Sequence, residues 1–139
     1  KVGLETAYTV VWSFYNALND VVNAEVRAGV PPYVRFIGTK IPADEDVTYD
    51  AGKAEIVWRV PRVRAGVGVR EPAREVSFQI GFIPSAAQIG NAPALLFGIA
   101  ASGSDESTDT ILHDSEADLT TDLMRFDSAM KLGDTKVVQ

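Results

Sequence analysis

Apolar and polar side chains alternate along much of this chain with a period of two. Ala54, Ile56, Trp58 and Val60 recur at every second position with Lys53, Glu55 and Arg59 between them, the spacing of a half-buried β-strand. The turn Tyr49-Asp50-Ala51-Gly52 precedes this segment and Ala65-Gly66 follows it. Similar segments recur about every ten residues, which points to an all-β sandwich or barrel rather than an alternating α/β plan.

Residues 6–16 place Tyr8, Val10, Trp12 and Phe14 on one face. After the turn at residues 16–20, residues 21–30 alternate Val22, Ala24, Val26, Ala28 and Val30 against Asn23, Glu25 and Arg27, and the two segments read as a β-hairpin. Pro31-Pro32 ends the second strand, because proline has no N–H for the ladder and restricts the residue before it. Further strands are predicted at residues 34–41, 47–50 and 74–83, with residues 42–46 a polar loop and residues 62–72 a long connection. In residues 74–83, Val76, Phe78, Ile80 and Phe82 face one way and Glu75, Ser77, Gln79 and Gly81 the other.

Residues 94–102 are apolar on both faces, as in a central or covered strand, and Gly98 within them suggests a bulge. Residues 108–113 read as a short strand. Over residues 116–130, Leu119, Leu123, Phe126 and Met130 recur at helical spacing, yet Leu119-Thr120-Thr121 is rich in β-formers. The favoured reading is a strand to about residue 123 followed by irregular structure; residues 135–138 also have strand character. The predicted core is Tyr8, Val10, Trp12, Val22, Val26, Ile56, Trp58, Val76, Phe78 and Ile80.

Composition narrows the class. The chain has 139 residues, of which 46% are hydrophobic and 23% charged, enough apolar surface for one domain spanning residues 1–139 and too much for a disordered chain. No apolar run approaches the roughly 20 residues of a membrane-spanning helix. The first residue is Lys1 rather than Met, as in a processed chain, an excised fragment or an incomplete start. There are no cysteines, so disulfides and thiolate metal sites are excluded.

The net charge of −6 is unevenly placed: residues 1–104 hold ten acidic and ten basic side chains, and residues 105–139 hold nine acidic and three basic. Nucleic acid is therefore not an expected partner. The one basic cluster is Arg59, Arg62, Arg64, Arg70 and Arg74.

Four segments, taken in order, resemble the repeat of bacterial and archaeal surface proteins known as domain of unknown function 11. They are Tyr8-Thr9-Val10 followed by Asn19-Asp20; residues 21–30 closing on Pro31-Pro32; the turn Tyr49-Asp50-Ala51-Gly52 into Ile56-Val57-Trp58; and Ala65-Gly66 before Val76-Ser77-Phe78. The resemblance covers residues 6–84 well and residues 85–139 less specifically. It implies an immunoglobulin-like antiparallel β-sandwich of seven to nine strands, extracellular or on the cell surface, working without catalysis as a spacer, stalk, adhesin segment or subunit of a filament, sheath or surface layer. The family's repeats come in tandem and no second copy is visible in this chain, so copies of itself or adjacent repeats are the expected partners, and partners are expected to order residues 1–5 and 136–139. The alternative reading is an adhesin-type domain that binds a surface glycan or protein.

No constellation for catalysis stands out, so no catalytic, cofactor-binding or metal residue is assigned. His113 is the sole histidine, which removes Ser-His-Asp and multi-histidine sites. Asp44, Glu45, Asp46 and Asp50 supply carboxylates of the kind glycoside hydrolysis pairs. Asp105, Glu106, Asp109, Asp114, Glu116 and Asp118 have the oxygen chemistry of a calcium site without the spacing of a known loop, and no cofactor is expected. Lys1, Lys40 and Lys53 are the candidate donors for an isopeptide crosslink. The arginine cluster is complementary to residues 105–122 of a following copy, a head-to-tail contact that builds open fibres. Val137-Val138 or Val2-Gly3-Leu4 could complete a neighbour's sheet edge.

Overall fold

The computed structural model describes residues 3–88, 90–123 and 125–132. Among them are ten strands: β1 (Thr6–Asn16), β2 (Val21–Gly29), β3 (Val34–Ile41), β4 (Asp46–Asp50), β5 (Glu55–Val63), β6 (Arg74–Phe82), β7 (Ala94–Asp105), β8 (Ile111–Ser115), β9 (Leu119–Thr120) and β10 (Asp127–Leu132). One sheet has the order β10-β1-β6-β3, and the other β4-β5-β2-β7-β8 with β9 beside β7. The two sheets enclose one core, an all-β sandwich.

That core is where the alternation placed it. Val10, Trp12 and Phe14 of β1 and Val76, Phe78 and Ile80 of β6 meet Val26 of β2 and Ile56, Trp58 and Val60 of β5, all at or near full burial. Aromatic rings fill the middle, with Phe14 of one sheet 4.9 Å from Trp58 of the other and Trp12 edge-on to Phe78 at 4.9 Å.

Several expectations need correction. Segments β1 and β2 are not a hairpin: β1 pairs with β6 and β10, β2 with β5 and β7, so residues 17–20 carry the chain from one sheet to the other. Val22 is only half-buried and Val21 takes its place in the core. The cause is a bulge between Val22 and Glu25, with Asn23 at φ 53°, which inserts one residue and reverses the facing of the strand. Tyr8 is also half-buried, its ring 4.9 Å from Phe126 at the edge of the core.

The count exceeds seven to nine because residues 116–130 behave differently from expectation. The strand expected to about residue 123 is confined to Leu119–Thr120, and β10 begins at Asp127 where irregular structure was expected. Ser128, Met130 and Leu132 of that strand point inward, and it runs parallel to β1, the exception in an otherwise antiparallel set of strand pairs. Smaller shifts lengthen β5 to Val63 and β7 to Asp105 and move β8 to Ile111–Ser115. Gly98 does sit at a bulge, at φ 60°, where β7 slips by a residue against β2. The expected strand at residues 135–138 lies outside the described residues.

Because β10 parallels β1 from Val11↔Asp127 to Asn16↔Leu132, β1 begins with Thr6 at one pole of the sandwich and β10 reaches Leu132 at the other. Ten residue steps along β1 separate the poles by about 33 Å.

The bulge gives the first prediction. Asn23→Gly should be tolerated, whereas Asn23→Val should destabilise the domain by about 1–2 kcal/mol, since a β-branched residue resists positive φ; urea unfolding of the two variants measures the difference. Equal stability of both would mean the bulge does not fix the register of β2.

Candidate functional site

Trp58 is fully buried, and its indole N–H must find an acceptor inside the sandwich. Residues 42–45 supply one. The turn closes with Glu45 N–H donating to Pro42 O at 3.2 Å and places the Glu45 carboxylate, 8% exposed, at the mouth between the sheets. Trp58 Nε1 donates to Glu45 Oε1 at 3.0 Å. Arg74, the first residue of β6, donates Nε to Oε2 at 2.7 Å and Nη2 to Oε1 at 3.2 Å. One carboxylate is thus shared by an indole from one sheet and a guanidinium from the other. Burial alone would raise the Glu45 pKa, but the Arg74 and Trp58 hydrogen bonds outweigh it and hold the carboxyl below its ordinary value.

In front of this clasp lies a groove of about 500 Å³, lined in part by Asn23, Glu25, Asp44, Asp46, Arg59 and Arg74. It opens because β4 ends at the Asp46↔Arg59 pair, leaving residues 60–63 of β5 without a neighbour on that side. Pro61, which has no N–H to offer, falls in that uncovered stretch. Of the four carboxylates considered for hydrolysis, Asp44, Glu45 and Asp46 line this groove and Asp50 does not. Glu45 is committed to Trp58 and Arg74, and Asp50, at the far end of β4, accepts from Gly52 N–H and Lys53 N–H in its own turn.

A second polar network binds the loops at the pole where β1 ends. Asn16 Nδ2 donates to Asn19 O at 2.7 Å and Val63 O at 2.9 Å. Asp20 accepts from Ala65 N–H and Arg62, both at 2.9 Å. Arg62 also makes a two-pronged pair with Glu106 at 2.6 and 2.8 Å. Asp105 accepts from Asn19 and from Ser107 and Thr108 N–H. The Ala65 N–H and then Arg62 lower the Asp20 pKa; Arg62 lowers that of Glu106; Asn19, with the turn N–H groups, lowers that of Asp105.

These engagements disperse the calcium candidates. Asp105 and Glu106 serve the pole, Asp109 sits in a turn at φ 58°, Asp114 accepts from Lys131 N–H of β10 at 2.9 Å, and Asp118 accepts from Gly98 N–H at 3.2 Å. The Glu116 carboxyl is pushed up by burial and by the neighbouring Asp114. Among the described residues no group of three or more acidic, His or Cys side chains is placed to hold a metal ion.

The arginines are largely spent within the chain: Arg62 on Asp20 and Glu106, Arg64 on Glu71, Arg74 on Glu45. The Arg62–Glu106 pair joins within one molecule the two regions whose charges suggested a contact between copies. His113 is exposed on β8, Lys53 is exposed in the β4–β5 turn and Lys40 is half-buried on β3, while Lys1, Val2 and Val137-Val138 lie outside the described residues. Both tryptophans are fully buried, so among the described residues the exposed aromatic rings open to a glycan are Phe97, 45% exposed, and Tyr49, 39% exposed beside Phe36. Reading the clasp from sequence would have required knowing which acid of the run Asp44-Glu45-Asp46 turns inward. The signal available was indirect, a buried indole in need of an acceptor.

Two predictions follow from the clasp. Among the described residues Trp12 Nε1 finds no acceptor, unlike Trp58 Nε1, so Trp58→Phe should cost about 1–2 kcal/mol more than Trp12→Phe in urea unfolding. Equal costs would show that the Glu45 bond adds nothing. A lowered carboxyl pKa stabilises the folded state fully above the ordinary value, 4.5 for Glu45, and that stability is lost as pH falls through the folded value. Glu45→Gln should therefore be less stable than the parent at pH 7 and lose less on acidification from about pH 5 to pH 3. Parallel pH profiles of the two proteins would overturn an ionised clasp.

Comparison of the chain with protein-family models finds no match, and comparison with curated proteins finds none either.

Proposed function

We propose that this chain is a structural, self-associating module of an extracellular or cell-surface assembly, an immunoglobulin-like repeat or subunit of a filament, sheath or surface layer. The observation that carries this reading is the parallel placement of β10 beside β1, which puts Gly3 and Leu132 at opposite poles. A unit built this way joins to its neighbours pole to pole and adds its full height to a series. Support also comes from the use of its polar side chains: Arg74 is engaged with Glu45 at the groove and Arg62 with Asp20 and Glu106 at the pole, tying sheets and loops together. The segments that resemble the surface-protein repeat form the β1–β6 part of this sandwich, with its Trp58 strand at the clasp. The partners on this reading are copies of the same chain or neighbouring repeats of the same kind.

Antibody raised against the purified domain should label intact producing cells. In solution, one, two and three copies fused in series should show a maximum dimension by X-ray scattering that grows by about 35–40 Å per copy. Labelling only after the cells are opened would sink the surface assignment, and a compact fused trimer would sink the serial arrangement.

A further inference from the structure

We propose that the β1–β10 pair is a shear clamp through which the module carries tension along its long axis; the biological role of this clamp rests on the surface-module reading. The two strands are neighbours, run in the same direction and stay in register from Val11↔Asp127 to Asn16↔Leu132. Tension applied through the two poles draws β1 back from Thr6 and β10 forward from Leu132, so parallel neighbours are pulled past each other. Parallel ladders space their hydrogen bonds evenly, slanted between the strands. All the bonds of the pair are therefore strained together, whereas peeling from one end strains them one at a time.

The surroundings direct the load to this pair. On its other side β1 is held by β6 from Thr6↔Phe82 to Phe14↔Arg74, a longer ladder, so β1 is anchored on both flanks. Among the described residues β10 has β1 as its one ladder partner. Its inward side chains Ser128, Met130 and Leu132 are sealed in the core, and its outer edge is tied to β8 where Lys131 N–H donates to Asp114 Oδ2 at 2.9 Å. The first step that tension must force is the sliding of β10 along β1, beginning with bonds such as Val11 N–H to Phe126 O at 2.9 Å.

Single-molecule pulling tests this by direction. The chain has no cysteine, so a handle can be set by one substitution. Leu18→Cys, at an exposed site in the β1–β2 connection and at the pole where β10 finishes, paired with the C-terminal end, peels the strands apart. Pulling through the two chain ends shears them. At equal loading rate the shear geometry should unfold at a force about twofold or more above the peel geometry, because forced unfolding reports the barrier rather than equilibrium stability.

Val11→Pro removes one clamp N–H and should lower the shear force while changing the peel force little; Asp50→Ala, in the β4–β5 turn away from the clamp, should leave the shear force above the peel force. Equal forces in the two directions on the Leu18→Cys chain overturn the clamp, whether or not Val11→Pro folds. Cell labelling and force direction are independent readouts, so the clamp and the surface reading fail separately.

Discussion

The fold depends on how it buries Trp58. The ring closes the space between the sheets against Phe14, and nothing smaller at that position fills the same volume. Burying an indole removes its N–H from water, and the acceptor that answers it is a carboxylate. Burying a carboxylate is costlier still, so it in turn requires a cation. Arg74 meets that need from the opposite sheet. One apolar packing demand thus fixes a loop, a buried charge and an inter-sheet tie. Trp12 illustrates the other outcome, an equally buried indole whose N–H finds no acceptor among the described residues.

What the sequence showed and what it concealed divide along the same physical line. A strand such as β6, which alternates without interruption from Glu75 to Ile80, is legible almost to the residue, because side-chain period alone determines which face is buried. Strand β2 is legible as a strand but not in its facing, since one extra residue at Asn23 reverses the parity and Val21 looks no different from Val22. The false β1–β2 hairpin came from reading a short polar turn as a pairing signal. In a sandwich the same turn also carries the chain between layers. Strand β10 was hidden because one of its three inward residues is Ser128, which breaks the apolar pattern while still being sealed by packing.

The candidate site was less legible than the fold for a related reason. Charged residues in sequence reveal their sign but not their partner. Glu45 sits between Asp44 and Asp46, a run that reads as a solvated loop, and the decisive fact is a three-dimensional one: the turn at Pro42 rotates that one side chain inward. Likewise, the acidic surplus after residue 104 suggests a charged tail, yet Asp105 organises a turn, Glu106 takes Arg62, Asp114 ties down β10 and Asp118 caps a backbone amide. The surplus is distributed as local fastenings.

Those fastenings bear on how such a module can join others. A sandwich exposes sheet edges, and exposed edges pair indiscriminately unless blunted. Here β3 is bulged around Gly38, β4 spans five residues and begins and ends on aspartate, Pro61 occupies the stretch of β5 that β4 leaves uncovered, and Asp114 takes a backbone N–H on the outer edge of β10. Each device works against sideways strand addition. The parallel closing strand meanwhile delivers the chain from one pole to the other. Discouraging lateral pairing while separating entry from exit is what the proposed connection in series requires, and under that proposal any pull passes through the strands that join the poles, β1 and β10.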